Sequence, residues 1–180
     1  TQATAAAVAP AAPPVAGAAY ALVNPGFEST TVNRKGDPDG WYSFQHAGDK
    51  SYDFVLDGDR PRSGQRSLRI ENTGPEPYGA IAQIVEAKPY VGKTARLTGW
   101  LRTRDASGLG AGLTLLVLAG GATLDQNFMY EQSVRGTTDW QRFTITVPVK
   151  PGADRVEVGA MLRGTGALWL DDLELAFVNP

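Results

Sequence analysis

The chain has 180 residues, 42% of them hydrophobic and 20% charged, which is enough for one well-buried domain of ordinary size. Its 17 basic and 19 acidic residues give a formal net charge of -2, so the composition does not favour nucleic-acid binding. Because the chain contains no cysteine, a disulfide scaffold and a thiolate metal site are both excluded.

Residues 1–19, TQATAAAVAPAAPPVAGAA, are uncharged and consist mostly of Ala, Pro, Val and Thr. They lack the basic start of a signal peptide, so we predict a flexible linker or a mature N-terminus left after signal removal. Either interpretation favours a secreted or periplasmic protein, and the alternative is a tail without targeting meaning. Residues 20–180 are predicted to form one domain.

From Tyr20 onward apolar and polar residues alternate with a period of two, as in SLRIEN (67–72). Turn-forming segments such as GDPDG and NTGPEP separate these runs, and no run keeps helical spacing over eleven residues. The pattern predicts an all-β protein, an antiparallel β-sandwich of the jelly-roll type. Strands are predicted at 20–23, 41–45, 51–56, 67–72, 79–87, 95–104, 112–119, 125–130, 142–149, 155–163 and 167–177.

One uncharged run, residues 106–124, has nearly the length of a membrane helix. Five glycines interrupt it and bracket LTLLVLA, which is typical of a buried strand between glycine turns. We therefore predict no membrane insertion.

Enzyme signatures are missing from the sequence. It has no G-x-S-x-G, P-loop, G-x-G-x-x-G or H-E-x-x-H motif, and its single histidine, His46, lies in a polar loop. A glycosidase needs only two carboxylates, but the acidic residues lie mainly in turns rather than in an apolar context. We predict a protein that is not an enzyme.

The segment WLDDLEL (169–175) places two carboxylates side by side in a strand. If Trp169, Leu173 and Leu175 face the core, then Asp171 faces it as well, and Asp172 points outward. A buried carboxylate needs a partner. Calcium held by carboxylates and backbone carbonyls is one such partner, and a salt bridge to Arg62 or Arg66 is the alternative.

Several motifs, in this order and spacing, resemble the galactose-binding-like β-sandwiches of family 4, 9 and 22 carbohydrate-binding modules. These motifs are LVNPGFE (22–28), GW (40–41), GQRSLRI (64–70), AIAQIV (80–85), RLTGWLR (96–102), TTDWQRF (137–143) and ALWLDDLEL (167–175). The resemblance implies a structural calcium bound by Glu28 and Asp171, with carbonyls near Asn24 and Gly64 completing the site.

The same resemblance implies that the protein binds a glycan on a concave sheet face or in the adjoining loops. Aromatic platforms and planar polar side chains suit the apolar faces and the hydroxyls of sugars. Among the candidates, Gln83 has a strand phase that also fits a buried structural residue, and Arg102 also fits a solvated strand face. The predicted ligand-binding residues are Tyr78, Gln83, Trp100, Arg102, Asp125, Asn127 and Tyr130.

Residues 77–105, together with RGTTDWQRF and LRGTGALWLDDL, also resemble accessory sandwiches attached to bacterial enzymes and regulators. This second resemblance implies a structural or protein-interaction role without a sugar site, with a protein partner or an attached enzyme. The two functions, glycan binding and protein interaction, both remain open from the sequence.

Overall fold

The computed structural model describes residues 19–180, so the prediction made for the Ala/Pro-rich segment falls on residues 1–18, outside the described part. Ten strands and two short 3-10 turns, Lys88–Tyr90 and Tyr130–Gln132, follow one another along it. No helix in this part is long and apolar enough to cross a membrane. The strands are β1 (Ala19–Tyr20), β2 (Tyr42–Gln45), β3 (Tyr52–Asp57), β4 (Ser67–Asn72), β5 (Gly79–Glu86), β6 (Thr94–Ala119), β7 (Ala122–Asn127), β8 (Val134–Pro148), β9 (Arg155–Arg163) and β10 (Ala167–Val178).

All strand pairs are antiparallel and form two layers. The first sheet has the order β8, first half of β6, β10, β4, β3, and β1 pairs with the end of β10. The second sheet has the order β2, β5, β9, second half of β6, β7. The predicted antiparallel β-sandwich of the jelly-roll class is confirmed.

The core lies between the two sheets and follows the alternation seen in the sequence. Leu97 and Leu101 of the first sheet and Leu113 and Leu115 of the second are fully buried. The sheets approach closely at Gly99, where a Cβ atom would lie 3.1 Å from the Leu113 side chain. Apolar residues at every second position thus account for the packing.

Strand β6 is longer than predicted, because the two strands expected at 95–104 and 112–119 form one bent strand. Asp105, Gly108 and Gly110 have φ angles of 50°, 67° and 75°, and these left-handed residues turn the strand from one sheet into the other. The strand expected at 125–130 ends at Asn127, where a 3-10 turn follows.

Strand β10 contains a β-bulge that corrects the interpretation of WLDDLEL. Residues paired across two strands lie on the same face of the sheet, and Leu170 is paired with the core residue Leu101. The residues on either side of Leu170, Trp169 and Asp171, are paired with Arg102 and Trp100 and therefore lie on the outer face of the first sheet. The register shifts between Asp171 and Glu174, and Asp172 has a φ of 48°. The expectation that Trp169 and Asp171 face the core is wrong, because the bulge changes the strand phase before Leu173.

Candidate functional site

A groove of about 320 Å³ crosses the outer face of the second sheet. Most of its lining is aromatic or aliphatic, and the polar side chains in it are few. The lining residues are Phe44, Pro77, Tyr78, Leu109, Thr114, Leu116, Phe128, Tyr130, Glu157, Met161 and Arg163.

The alternation of β9 places three residues in this groove. Val156, Val158, Ala160 and Leu162 of β9 are fully buried in the core, so Glu157, Met161 and Arg163 project from the other face. Neighbouring strands contribute Phe44 from β2 and Thr114 and Leu116 from β6 to the same face.

Two tyrosines flank the groove from connecting segments. Tyr78 precedes β5, and its ring meets His46 edge-on at 5.8 Å between centroids. Tyr130 stands on the 3-10 turn after β7, is 56% exposed, and meets Phe128 edge-on at 5.9 Å. Aromatic rings beside a groove, here the exposed Tyr130 and the half-buried Tyr78, are suited to stacking on a flat apolar ligand face.

The groove is charged near its two ends. Glu157 and Arg163 are six residues apart on one face of β9, a separation of about 20 Å at ~3.3 Å per residue. The hydroxyl of Tyr42 lies beside Glu157, and burial together with this carboxylate raises the pKa of Tyr42. The two charges are too far apart to pair with each other.

Of the seven predicted ligand-binding residues, the groove brings together Tyr78 and Tyr130. Gln83 does not line it, because this side chain is only 5% exposed and both ends of its amide bind Val23. The Gln83 Oε1 accepts a hydrogen bond from the Val23 backbone N–H at 2.8 Å, and its Nε2 donates to the Val23 carbonyl at 2.9 Å. Gln83 therefore fastens the segment after β1 to β5.

Trp100 and Arg102 lie on the outer face of the first sheet, away from the groove. Arg102 is 6% exposed, with its guanidinium 4.0 Å from the Trp169 ring centroid and 5.6 Å from that of Trp140. Trp100 is covered by the guanidinium of Arg62 at 4.1 Å. Both residues belong to a layer of stacked arginine and tryptophan side chains.

Asp125 and Asn127 lie on the side of β7 opposite the groove. Asp125 forms a 2.9 Å salt bridge with Lys150, and this hydrogen bond lowers the pKa of Asp125. The Asn127 Oδ1 accepts a hydrogen bond from the backbone N–H of Met129 at 3.0 Å and so shapes the turn that precedes Tyr130.

Sequence reasoning missed Phe44, Glu157 and Arg163. Their positions opposite the core residues of β2 and β9 were visible in the alternating pattern, but that pattern describes a solvated face equally well. Only the pairing of β9 with β5 and β6 shows that these residues meet across neighbouring strands.

The predicted metal ligands Glu28 and Asp171 both contact the loop between β3 and β4. The Asp171 carboxylate accepts hydrogen bonds from the backbone N–H groups of Arg62 at 2.9 Å, Ser63 at 3.3 Å and Asp172 at 2.8 Å. Glu28 accepts from the backbone N–H groups that follow Gly64, at 3.0 Å. Glu28 and Asp171 therefore bind the same loop, residues 58–66.

The charge of Asp171 has no cationic side chain to balance it among residues 19–180. The side chain is completely buried, and burial together with the neighbouring Asp172 raises its pKa to about 7. The salt bridge considered with Arg62 or Arg66 does not form, since Arg62 reaches Asp171 only through its backbone N–H. A buried, uncompensated carboxylate beside a second acid suits a hard divalent cation.

The candidate metal site offers carboxylate oxygens near the backbone of Gly26. A Cβ atom on Gly26 would lie 3.4 Å from the Asp172 Oδ1 and 3.8 Å from the Asp171 Oδ1, so both acids turn an oxygen toward the same stretch of backbone. No three carboxylate or imidazole side chains cluster at metal-binding distance in the described part of the chain, so backbone carbonyls would have to complete a coordination shell. The Asn24 carbonyl already accepts the Trp41 Nε1–H at 3.1 Å.

Comparisons with known sequences do not show a family for this chain. No protein-family model matches the sequence. The chain is 23% identical over 123 residues to the uncharacterized HTH-type transcriptional regulator YbfP of Bacillus subtilis, a match that covers 67% of this chain and 42% of the regulator.

Solved structures resemble the whole sandwich at low sequence identity. The CBM22-1 xylan-binding domain of Paenibacillus barcinonensis Xyn10C has a TM-score of 0.60 and 14% identity, with 92% of this chain and 97% of that domain covered. The Stig cyclase Fisc of Fischerella sp. TAU, in complex with an indole compound, also has a TM-score of 0.60 and 14% identity, with 91% and 99% covered. The predicted resemblance to the sandwiches of carbohydrate-binding modules is thereby confirmed for the fold, which the chain shares with at least one enzyme.

Proposed function

We propose that this protein is a non-catalytic carbohydrate-binding module whose ligand lies in the groove of the second sheet. The observation that carries the proposal is the pair of aromatic side chains, Tyr78 and Tyr130, that flank a groove containing Glu157 and Arg163. Stacking on the tyrosines and hydrogen bonds to the two charged groups are the contacts that a sugar chain requires. A role outside the cytoplasm, secreted or periplasmic, accords with such a ligand.

The composition of the groove supports binding rather than hydrolysis. Glu157 is the single carboxylate among the eleven lining residues, whereas glycoside hydrolysis ordinarily uses two that flank the bond. Incubation of the protein with the polysaccharide that it binds should therefore release no reducing ends, although a cyclase shares the fold.

A second candidate function is protein interaction, as an accessory sandwich attached to another domain. It is favoured by the apolar lining of the groove, which includes Leu116, Met161 and the 56% exposed Leu109. The similarity to part of a transcriptional regulator is in keeping with this role. On this alternative no polysaccharide would bind.

Affinity gel electrophoresis with xylan, β-glucan or galactan in the gel tests the proposed function. The wild-type protein should be retarded by at least one polysaccharide, and Tyr78→Ala and Tyr130→Ala should each weaken binding about tenfold through loss of a stacking ring. Val91→Ala is the matched control, because Val91 is 41% exposed and lies outside the groove. Absence of retardation by every polysaccharide would favour the protein-interaction role.

We also propose that a structural calcium binds at the bulge of β10. Glu28 and Asp171 would hold it, with backbone carbonyls near Asn24 and Gly64. The complete burial of Asp171 supports this proposal, because a divalent cation would balance a charge that three backbone N–H groups only solvate. Bound calcium would tie the first part of the domain to the last strand.

Thermal unfolding with and without EGTA tests the calcium proposal. At a free concentration 100 times the dissociation constant, calcium would add about 2.7 kcal/mol, or a rise of roughly 5–10 °C in melting temperature for a domain of this size. Asp171→Asn should remove the response to EGTA, and magnesium should not restore the melting temperature. Identical melting curves with and without EGTA would contradict the proposal.

A further inference from the structure

One end of the groove carries a buried positive charge. Arg163 is 4% exposed and lies in the groove wall. Its Nε donates a hydrogen bond to the Gly110 carbonyl at 3.2 Å, and its Nη1 donates to the Phe128 carbonyl at 2.6 Å. Its Nη2 has no acceptor, so one donor group of a buried guanidinium is left unused.

No carboxylate pairs with this charge in the described part of the chain. Arg135, nearby and exposed, also forms no salt bridge there, and its Nε donates to the Gly108 carbonyl at 3.0 Å. Burial lowers the pKa of Arg163, the neighbouring Tyr130 hydroxyl opposes this shift, and the charge of Arg135 adds a smaller lowering effect. Glu157 is about 20 Å away along β9, beyond a Debye length of ~8 Å, and Glu131 is exposed to solvent.

The ring of Tyr130 covers the guanidinium. The Arg163 Cζ lies 4.5 Å from the Tyr130 ring centroid, and Tyr130 is 56% exposed whereas Arg163 is almost fully buried. The tyrosine is therefore on the solvent side. An exposed side chain on a three-residue turn can change its rotamer on the nanosecond timescale, which would uncover the guanidinium face under the ring.

We propose that the Tyr130 end of the groove binds the carboxylate of a uronic acid residue in the glycan. This inference rests on the proposed function. In the complex Tyr130 turns aside from the guanidinium and packs on the sugar ring, and Nη2 of Arg163 donates to the carboxylate. Arg135 adds a second, exposed positive charge at the same end.

The opposite end of the groove selects against a second acid. Glu157 repels a carboxylate and accepts hydrogen bonds from sugar hydroxyls instead. The favoured ligand is therefore a chain that carries isolated uronate residues among neutral sugars, rather than a polyuronate with a charge on every unit.

Isothermal titration with matched polysaccharides tests this inference. Glucuronoxylan and polygalacturonate are each compared with their carboxyl-reduced forms, which keep the backbone and lose the charge. We expect glucuronoxylan to bind the wild-type protein about tenfold more tightly than its reduced form, the difference made by one charge-assisted hydrogen bond. The preference should decline between 50 mM and 500 mM salt, concentrations at which charge pairs are increasingly screened.

Two variants assign the preference to the Tyr130 end. Arg163→Met should abolish the preference for the acidic form, and Arg135→Gln, an exposed position that does not threaten folding, should reduce it two- to threefold. A melting curve establishes that each variant is folded. If Arg163→Met does not fold, the loss of preference in Arg135→Gln and its salt dependence test the inference instead.

The outcomes separate this inference from the proposed function. Equal affinity for acidic and reduced chains overturns the inference and leaves glycan binding intact. A preference that survives in folded Arg163→Met, or that is undiminished in Arg135→Gln and does not decline with salt, also overturns it. Absence of binding to these chains and to the neutral polysaccharides rejects both.

Discussion

Replacing Arg102 with methionine tests the role that the structure gives to this residue. Its Nη2 donates to the Asp59 carbonyl at 2.8 Å, a hydrogen bond from a charged group that contributes about 1.5–3 kcal/mol. Its guanidinium also stacks on Trp169 at 4.0 Å, which adds about 0.5–2 kcal/mol. Methionine keeps much of the aliphatic packing and removes the cost of burying a charge. We therefore expect a net loss of about 2 kcal/mol.

Urea unfolding and thermal melting measure this loss. For a domain of this size, 2 kcal/mol corresponds to a fall of roughly 4–8 °C in melting temperature, with an unchanged urea m-value. Arg104→Met is the matched control on the same strand face. Its side chain is 50% exposed and pairs with Glu71 at the surface, so it should change stability by less than about 1 kcal/mol.

The same variant separates structural support from ligand binding. Folded Arg102→Met should bind the ligand of the groove within twofold of wild type, because Arg102 lies on the other sheet. A stability change below about 0.5 kcal/mol would refute the structural role. Lost binding in the folded variant would refute the assignment of the ligand to the second sheet.

Three further predictions concern single contacts. Gly159→Ala should destabilise the fold by about 3 kcal/mol or more in urea unfolding, because the added Cβ would lie 1.9 Å from a backbone oxygen of β5. The control Gly92→Ala places its Cβ within 4 Å of no atom and should cost only about 1–2 kcal/mol, for its positive φ. Equal losses in the two variants would contradict this reasoning. Gln83→Ala should lower the free energy of unfolding by about 2 kcal/mol, because two part-buried hydrogen bonds are lost, and it should leave ligand affinity unchanged. Lower ligand affinity in the folded variant would show that Gln83 contacts the ligand. Lys150 lowers the pKa of Asp125, so this ion pair stabilises the fold above the usual aspartate pKa of about 3.9, and its contribution disappears as the pH falls through the lower pKa of the folded state. Asp125→Asn should therefore cost less than about 1 kcal/mol at pH 7 and still less in acid. A cost of Asp125→Asn that does not change in acid would contradict the pairing.

The sequence was sufficient to predict the sandwich, since buried positions such as Leu68 and Ile70 alternate with polar ones and turn residues separate the runs. It could not locate the bulge in β10. An extra residue at Asp172 reverses the strand phase, and Trp169 is apolar enough to fit either face. The burial of Asp171 was predicted correctly for a wrong reason, because a loop rather than the core covers it.

The residues that line the groove were harder to predict than the fold. Tyr78 and Tyr130 were candidates because the resemblance to carbohydrate-binding modules implies a site on a sheet face or in the adjoining loops, where aromatic rings can stack on sugars. Glu157 and Arg163 were missed because charged residues on the polar face of a strand ordinarily contact solvent. Which face forms a groove depends on sheet order and on pairing between distant segments, and a single sequence contains neither.

Amide chemical-shift mapping tests the location of the ligand most directly. The labelled protein is titrated with soluble oligomers of any polysaccharide that retards it in the gel. Glycan binding in the groove predicts shifts in residues 42–45, 112–116 and 157–163, with little change in residues 100–104 and 167–172. Shifts confined to the first sheet, or no shift with any oligomer, would contradict it.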